Sequence, residues 1–187
     1  MNTKPISMLL ILTLSAFYLS VLALVLKPDV SEEYRRYYIT RESGLSPTQI
    51  RRLQNAEPGD RLGFRSDKLG FDSWSNPESE FRWSLGNSPK LHFLLDAEHK
   101  TEAIRSMGLR FQPLGQQKVQ IQINGHTLFD QQIDSQGPVE VTFSLPPSLL
   151  QMGNNVISFQ LPNARQPGNG DSRTLGIALS EIVLNRT

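Results

Sequence analysis

Apolar side chains fill residues 6–26, ISMLLILTLSAFYLSVLALVL, without a single charge. In a helix with ~1.5 Å rise per residue such a run covers the ~30 Å hydrocarbon core of a bilayer and satisfies its own backbone hydrogen bonds. The pattern predicts an uncleaved transmembrane anchor, preceded by a short cytoplasmic segment, residues 1–5. A cleaved signal peptide is one alternative, but it has a shorter apolar region and small residues at its cleavage site; here the run ends in ALVLKP. A buried core helix is the other. Lys4 and the amino terminus precede the run, while Lys27, Arg35, Arg36 and Arg41 follow it. A bare count of positive charge would keep the carboxyl side in the cytoplasm, yet large domains cross largely regardless of charge. The expectation is therefore a single pass through a bacterial inner membrane with the carboxyl-terminal domain periplasmic.

Residues 27–59 read as a stalk. Tyr34, Tyr37 and Tyr38 beside Arg35 and Arg36 suit a headgroup layer, and equally a solvated, partly helical connector. Ser46 fits an N-cap, Pro47 the first helical position, and Gln49 the third residue of a capping box. A helix of two or three turns is predicted there, ending by Pro58-Gly59.

From residue 60 the period changes to two. Residues 91–95 form a short apolar run, Met107, Leu109 and Phe111 share one alternating face within 103–112, and VQIQI at 119–123 alternates strictly. Asn124-Gly125 is the favoured pair for a type I′ turn, so 128–133 returns as a hairpin partner. Further strands are predicted at 139–144, 154–161 and 173–184, the last with a bend or bulge near Glu181 where its alternation slips. Residues 148–152 read as one helical turn closed by Gly153. Seven or eight short strands separated by turns predict an antiparallel β-sandwich over 60–187, a jelly roll by preference.

Composition narrows the function classes. Nineteen basic against eighteen acidic residues give a net charge of +1, and there is no cysteine. Nothing suggests a nucleic-acid surface, and thiolate catalysis, disulfides and most zinc sites are excluded. His92, His99 and His126 are not in ligand spacing, and Asp96, Glu98 and Glu102 read as a solvated acidic loop without the pattern of a calcium loop. No Gly-rich phosphate loop follows a strand, and no serine sits in a nucleophile elbow. A pair of distant carboxylates for glycan hydrolysis stays open. No cofactor, metal or catalytic residue is assigned.

The strings WS at 74–75, FRWS at 81–84, 119–125, GNNVISFQLP at 153–162 and DSRTLGIAL at 171–179 resemble the galactose-binding-like jelly-roll domains. More narrowly they resemble the module at the outer end of some bacterial membrane glycosyltransferases and phosphoglycerol transferases. The resemblance covers residues 63–184. It implies a non-catalytic accessory role in envelope glycan synthesis or modification, either binding glycan or docking on a transferase. A purely structural or protein-interaction module is the alternative, and a glycan-modifying enzyme the third reading.

A pyranose offers an apolar face to an aromatic ring and hydroxyls to polar groups. Trp74, Asn76, Arg82 and Trp83 supply both within ten positions; the competing reading is a core tryptophan with Arg82 on the far face of its strand. The loop residues Asn163, Arg165, Asn169, Asp171 and Arg173 form a second candidate, since sandwich loops carry binding groups. Asn and Asp also favour turns for conformational reasons, and Arg173 could instead lock the loop through a buried bidentate pair with a carboxylate.

Overall fold

The computed structural model describes residues 4–26 and 44–186, except Pro147 and Asn169, and leaves out the side chains of 4–7, 9, 10, 23, 24, 26, 98 and 99. The chain falls into two compact units, Met1–Glu42 and Ser43–Thr187. In the first, α1 is a continuous helix, Lys4–Leu26. Its described side chains are all exposed, among them Ile11, Leu12, Phe17 and Leu19. They form an unbroken run only over 11–22. Among the described residues no helix is long and apolar enough to cross a membrane. The tyrosine and arginine residues at 34–41 lie outside the described residues.

In the second unit α2, Pro47–Arg51, starts as its sequence dictates. The Gln49 amide donates to Ser46 Oγ at 3.2 Å, and the Ser46 amide donates to Gln49 Oε1 at 2.8 Å. It is shorter than expected because the following residues find partners elsewhere. The Gln54 amide donates to the Asp67 carbonyl and the Ala56 amide to the Leu94 carbonyl, drawing 54–56 into an extended path beside the sandwich.

Among the described residues ten antiparallel strands make two sheets. Sheet one has the order β1 (Arg61–Gly63), β10 (Leu175–Arg186), β5 (Ile104–Pro113), β8 (Val139–Ser144), with β3 (Arg82–Leu85) also paired to β10. Sheet two has the order β2 (Gly70–Asp72), β4 (Lys90–Leu95), β9 (Gly153–Gln160), β6 (Gln117–Ile123), β7 (His126–Ile133). The core is the set of alternating inward residues: Phe93, Ile121 and Phe159 from sheet two, and Met107, Leu109, Phe111 and Ile177 from sheet one. A jelly-roll-type β-sandwich is the observed architecture.

The expected strands from 91 onward all form. Asn124 and Gly125 take φ of 48° and 85°, as a type I′ turn requires. The slip near Glu181 is real: the pairing of β10 with β5 shifts register between Leu179 and Glu181. Buried positions step from Ile177 and Leu179 to Ile182 and Leu184, so Ser180 is one extra residue on β10.

Three expectations need correction. The turn at 148–152 is not helical among its described residues: Ser148 takes φ 66°, and its neighbours' backbone groups are captured by asparagines. Asn124 Nδ2 donates to the Leu149 carbonyl, the Gln151 amide donates to Asn155 Oδ1, and Asn155 Nδ2 donates to the Gln151 carbonyl. The acidic stretch before β5 forms a short helix, α3 (Glu98–Ala103). Its Lys100 bridges Glu57 and Asp96 at 2.5 and 2.7 Å. Finally, ten strands form among the described residues rather than seven or eight, because β1, β2 and β3, strands of only three or four residues, are too short to show a period.

Ser84 fixes β3 on β10. Its hydroxyl, fully buried, accepts from the Gly176 and Ile177 amides at 3.1 and 3.0 Å. Ser84→Ala leaves two buried donors without an acceptor and is expected to cost about 2–4 kcal/mol, lowering the melting temperature by roughly 5–15 °C. A thermal melt followed by circular dichroism checks this; a shift below about 2 °C would contradict it.

Candidate functional site

The loop between β2 and β3, residues 73–81, and the loop between β9 and β10, residues 161–174, lie at neighbouring corners of the sandwich. The carbonyl of Thr174 accepts from the Gly86 amide just after β3. Both expected clusters are drawn from these segments, but the structure redistributes their members.

Trp74 is a core residue. It is 8% exposed, its ring meets Phe71 and Phe159 edge-on at centroid distances of 6.2 and 5.6 Å, and its Nε1–H donates to the Lys90 carbonyl at 2.9 Å. A sugar cannot stack on it. Strand alternation then separates Arg82 from Trp83. Arg82 points to the Phe71 ring, 4.1 Å from its centroid, and donates to the Phe64 carbonyl at 2.8 Å. Trp83 is half-buried on the other face of β3, edge-on to the half-buried Phe81 at 5.6 Å and 74°. Asn76 is exposed in the loop. The expected quartet is thus not one site, and within it Trp83 alone offers an accessible ring.

In the second loop Asn163 is structural: its Oδ1 accepts from the Lys118 amide at 2.9 Å and its carbonyl accepts from Gln117 Nε2 at 3.0 Å. Arg165 pairs through its backbone with Leu175, and Asn169 lies outside the described residues. Asp171 and Arg173 do come together. Arg173 Nε and Nη2 donate to Asp171 Oδ2 at 2.9 and 2.6 Å, and the Arg173 amide donates to Asp171 Oδ1 at 2.9 Å. The carboxylate that locks Arg173 is its own neighbour, and Arg173 is exposed rather than buried.

Arg173 also reaches across to the other loop, with Nη1 3.4 Å from Glu78 Oε1. The Glu78 amide in turn donates to the Phe81 carbonyl at 2.9 Å. A half-exposed aromatic pair, Phe81 and Trp83, is therefore followed round one turn by a charged network of Glu78, Arg173 and Asp171. Phe81 and Glu78 were not expected as site residues. The F-x-W spacing of 81 and 83 is a two-residue alternation that could have paired the rings, whereas nothing in the sequence marks Glu78.

A larger cavity of about 650 Å³ at the 146–152 turn is lined by Arg105, Glu102 and Met152 and by no aromatic ring. It gives a pyranose no stacking surface. Among the described residues no three His, Asp or Glu side chains gather as a metal site.

No family model matches the sequence, and no curated protein does. Solved structures with a similar fold include the CBM36-1 domain of a multidomain xylanase from the hindgut metagenome of Trinervitermes trinervoides, 15% identical over 68% of this chain and 97% of that one, TM-score 0.46. A carbohydrate-binding module CBM36 described in complex with calcium and xylotriose is 15% identical over 66% of this chain and 97% of that one, TM-score 0.43. An acetyl xylan esterase from the rumen bacterium Butyrivibrio proteoclasticus is 12% identical over 70% of this chain, TM-score 0.43, but this chain spans only 33% of its length. Overlaps this slight transfer no ligand. None of them connects the chain to the outer-end module of membrane transferases.

The Asp171 carboxyl is held below the usual carboxylate range, first by the side-chain bond from Arg173 and then by the Arg173 amide; Arg173 is raised, chiefly by the same bond. A depressed carboxyl contributes to folded-state order above its unfolded pKa of ~3.9, and that contribution is lost as pH falls through its lower folded pKa. In an NMR titration of the side-chain carbonyl carbon, Asp171 is expected to titrate below ~3.9, and Arg173→Gln to return it toward that value. An unchanged midpoint in the variant would contradict this.

Proposed function

We propose that the chain is a membrane-anchored, non-catalytic accessory protein that binds glycan through Phe81 and Trp83, with Glu78, Asp171 and Arg173 as the polar flank. The observation that carries this reading is the Arg173 bridge between the two loops. It brings charged hydrogen-bonding groups to the turn that leads into an accessible aromatic pair, the two kinds of surface a pyranose needs together.

The anchor in this proposal is α1. All 23 residues of Lys4–Leu26 are helical, a length of roughly 34 Å, and no charge follows Lys4 within it. Exposed leucine, isoleucine and phenylalanine along such a helix are stable in hydrocarbon rather than water. The proposal extends to a periplasmic carboxyl-terminal domain on a bacterial inner membrane, docked beside a glycosyltransferase or phosphoglycerol transferase, as the resemblance of residues 63–184 implies. Copurification of the tagged full chain from detergent tests that partner; a purely structural envelope module is the reading left if no transferase accompanies it.

Binding is tested by titrating the full chain in nonionic micelles with neutral xylan and glucan hexasaccharides, following tryptophan fluorescence and heat. Trp83→Ala is expected to weaken binding by about tenfold or more. Trp74→Phe should lower stability, because its bond to the Lys90 carbonyl is lost, while leaving the affinity of the folded protein intact. Equal affinities for wild type and Trp83→Ala would overturn the site.

A further inference from the structure

Residues 64–69, which carry the chain from β1 in sheet one to β2 in sheet two, border with the end of α2 an open cleft of about 410 Å³. Arg52, Arg65 and Arg82 line it against a single carboxylate, Asp67. Overall charge does not explain this excess, since the whole chain carries only +1.

Several basic groups of the unit sit on acids, Lys68 on Asp60, Arg61 on Glu181, Arg110 on Glu140 and Lys118 on Asp130, while others, such as Lys90 and Arg105, are in no ion pair among the described residues. What sets this cleft apart is that three such arginines line it together. Arg82 is stacked on Phe71 and donates to the Phe64 carbonyl. Arg65 lies over the Phe64 ring at 5.2 Å and donates to the Glu78 carbonyl at 2.7 Å. Carbonyls satisfy donors without cancelling charge. Among the described residues neither these two nor Arg52 has a carboxylate within ion-pair distance. Burial, and after it the Arg65 charge, lower the Arg82 pKa, as unneutralised neighbouring cations in a sheltered place must. An anion entering the cleft would relieve that repulsion and meet the remaining guanidinium donors, since Arg82 commits Nε to the Phe64 carbonyl and Nη1 to the Ser75 carbonyl at 3.5 Å while its Nη2 has no such bond among the described residues.

We propose that this cleft is an oxyanion site, taking the carboxylate or phosphate of a sugar-sized ligand, with Arg82 as the fixed partner and Arg65 and Arg52 completing the cradle. It opens on the other face of β3 from the Trp83 ring, because Arg82 and Trp83 occupy opposite faces, and it touches the glycan flank only where Arg65 donates to the Glu78 carbonyl.

The test uses calorimetric titration of the full chain in nonionic micelles with inorganic phosphate, glucose 6-phosphate, glucuronate and, as the neutral control, glucose. Saturable binding of the charged probes that weakens with added salt is expected, with glucose giving no signal here. Arg52 is exposed and forms no side-chain hydrogen bond among the described residues. Arg52→Gln should therefore keep the melting temperature and weaken the charged probes by about tenfold, whereas Trp83→Ala should leave them unchanged. Equal affinity for inorganic phosphate and glucose 6-phosphate would identify the free oxyanion as sufficient; tighter glucose 6-phosphate would add the ring. The proposal is overturned if no charged probe saturates below about 10 mM, or if Arg52→Gln binds them as wild type does.

Discussion

One edge of β10 has to hold two separate strands, and the extra residue at Ser180 makes this workable. β3 pairs with 175–179 and β1 with 181–183, while the Ser180 carbonyl between them accepts from the Phe64 amide. The chain leaves sheet one at that point, crosses to form β2, and returns as β3. A bulge bends its strand and sharpens the local twist, so the two short strands need not be collinear. Without it the core face of β10 could not hold both Ile177 and Ile182 inward. The residues that close the core here are the ones that aim the candidate sites. β3 sends Trp83 outward and Arg82 toward the other sheet, and both proposed surfaces descend from that one alternation.

The sandwich was legible from its longer strands because burial on one face writes a period of two into the sequence, as Met107, Leu109 and Phe111 show. The Ser46 cap and the Asn124-Gly125 turn were legible because each residue type answers a local backbone need. The first three strands were not, since three or four residues cannot establish a period. The 148–152 turn misled because its backbone partners are tertiary: Asn124 comes from the β6–β7 turn 24 residues before it, and Asn155 from β9 just after it. Trp74 and Trp83 look alike in sequence, and only tertiary packing decides that one ring is sealed against Phe159 while the other stays half-exposed. Asp171 and Arg173 could be paired from their spacing, but the bridge to Glu78 depends on how two distant loops meet.

One short strand, β3, carries two chemically different surfaces at the corner of the sandwich. The aromatic pair suits the uncharged face of a sugar; the arginine cleft suits an acidic substituent. Under the proposed function, a chain carrying both would hold a charged glycan at a membrane.

The most direct measurement is a chemical-shift map of the isotopically labelled full chain in micelles during titration with a neutral hexasaccharide. The account predicts that the largest amide changes fall on 78–83 and 171–174, with the β6–β7 hairpin unaffected. Changes concentrated instead at the 146–152 turn, or no changes at saturating sugar, would contradict it.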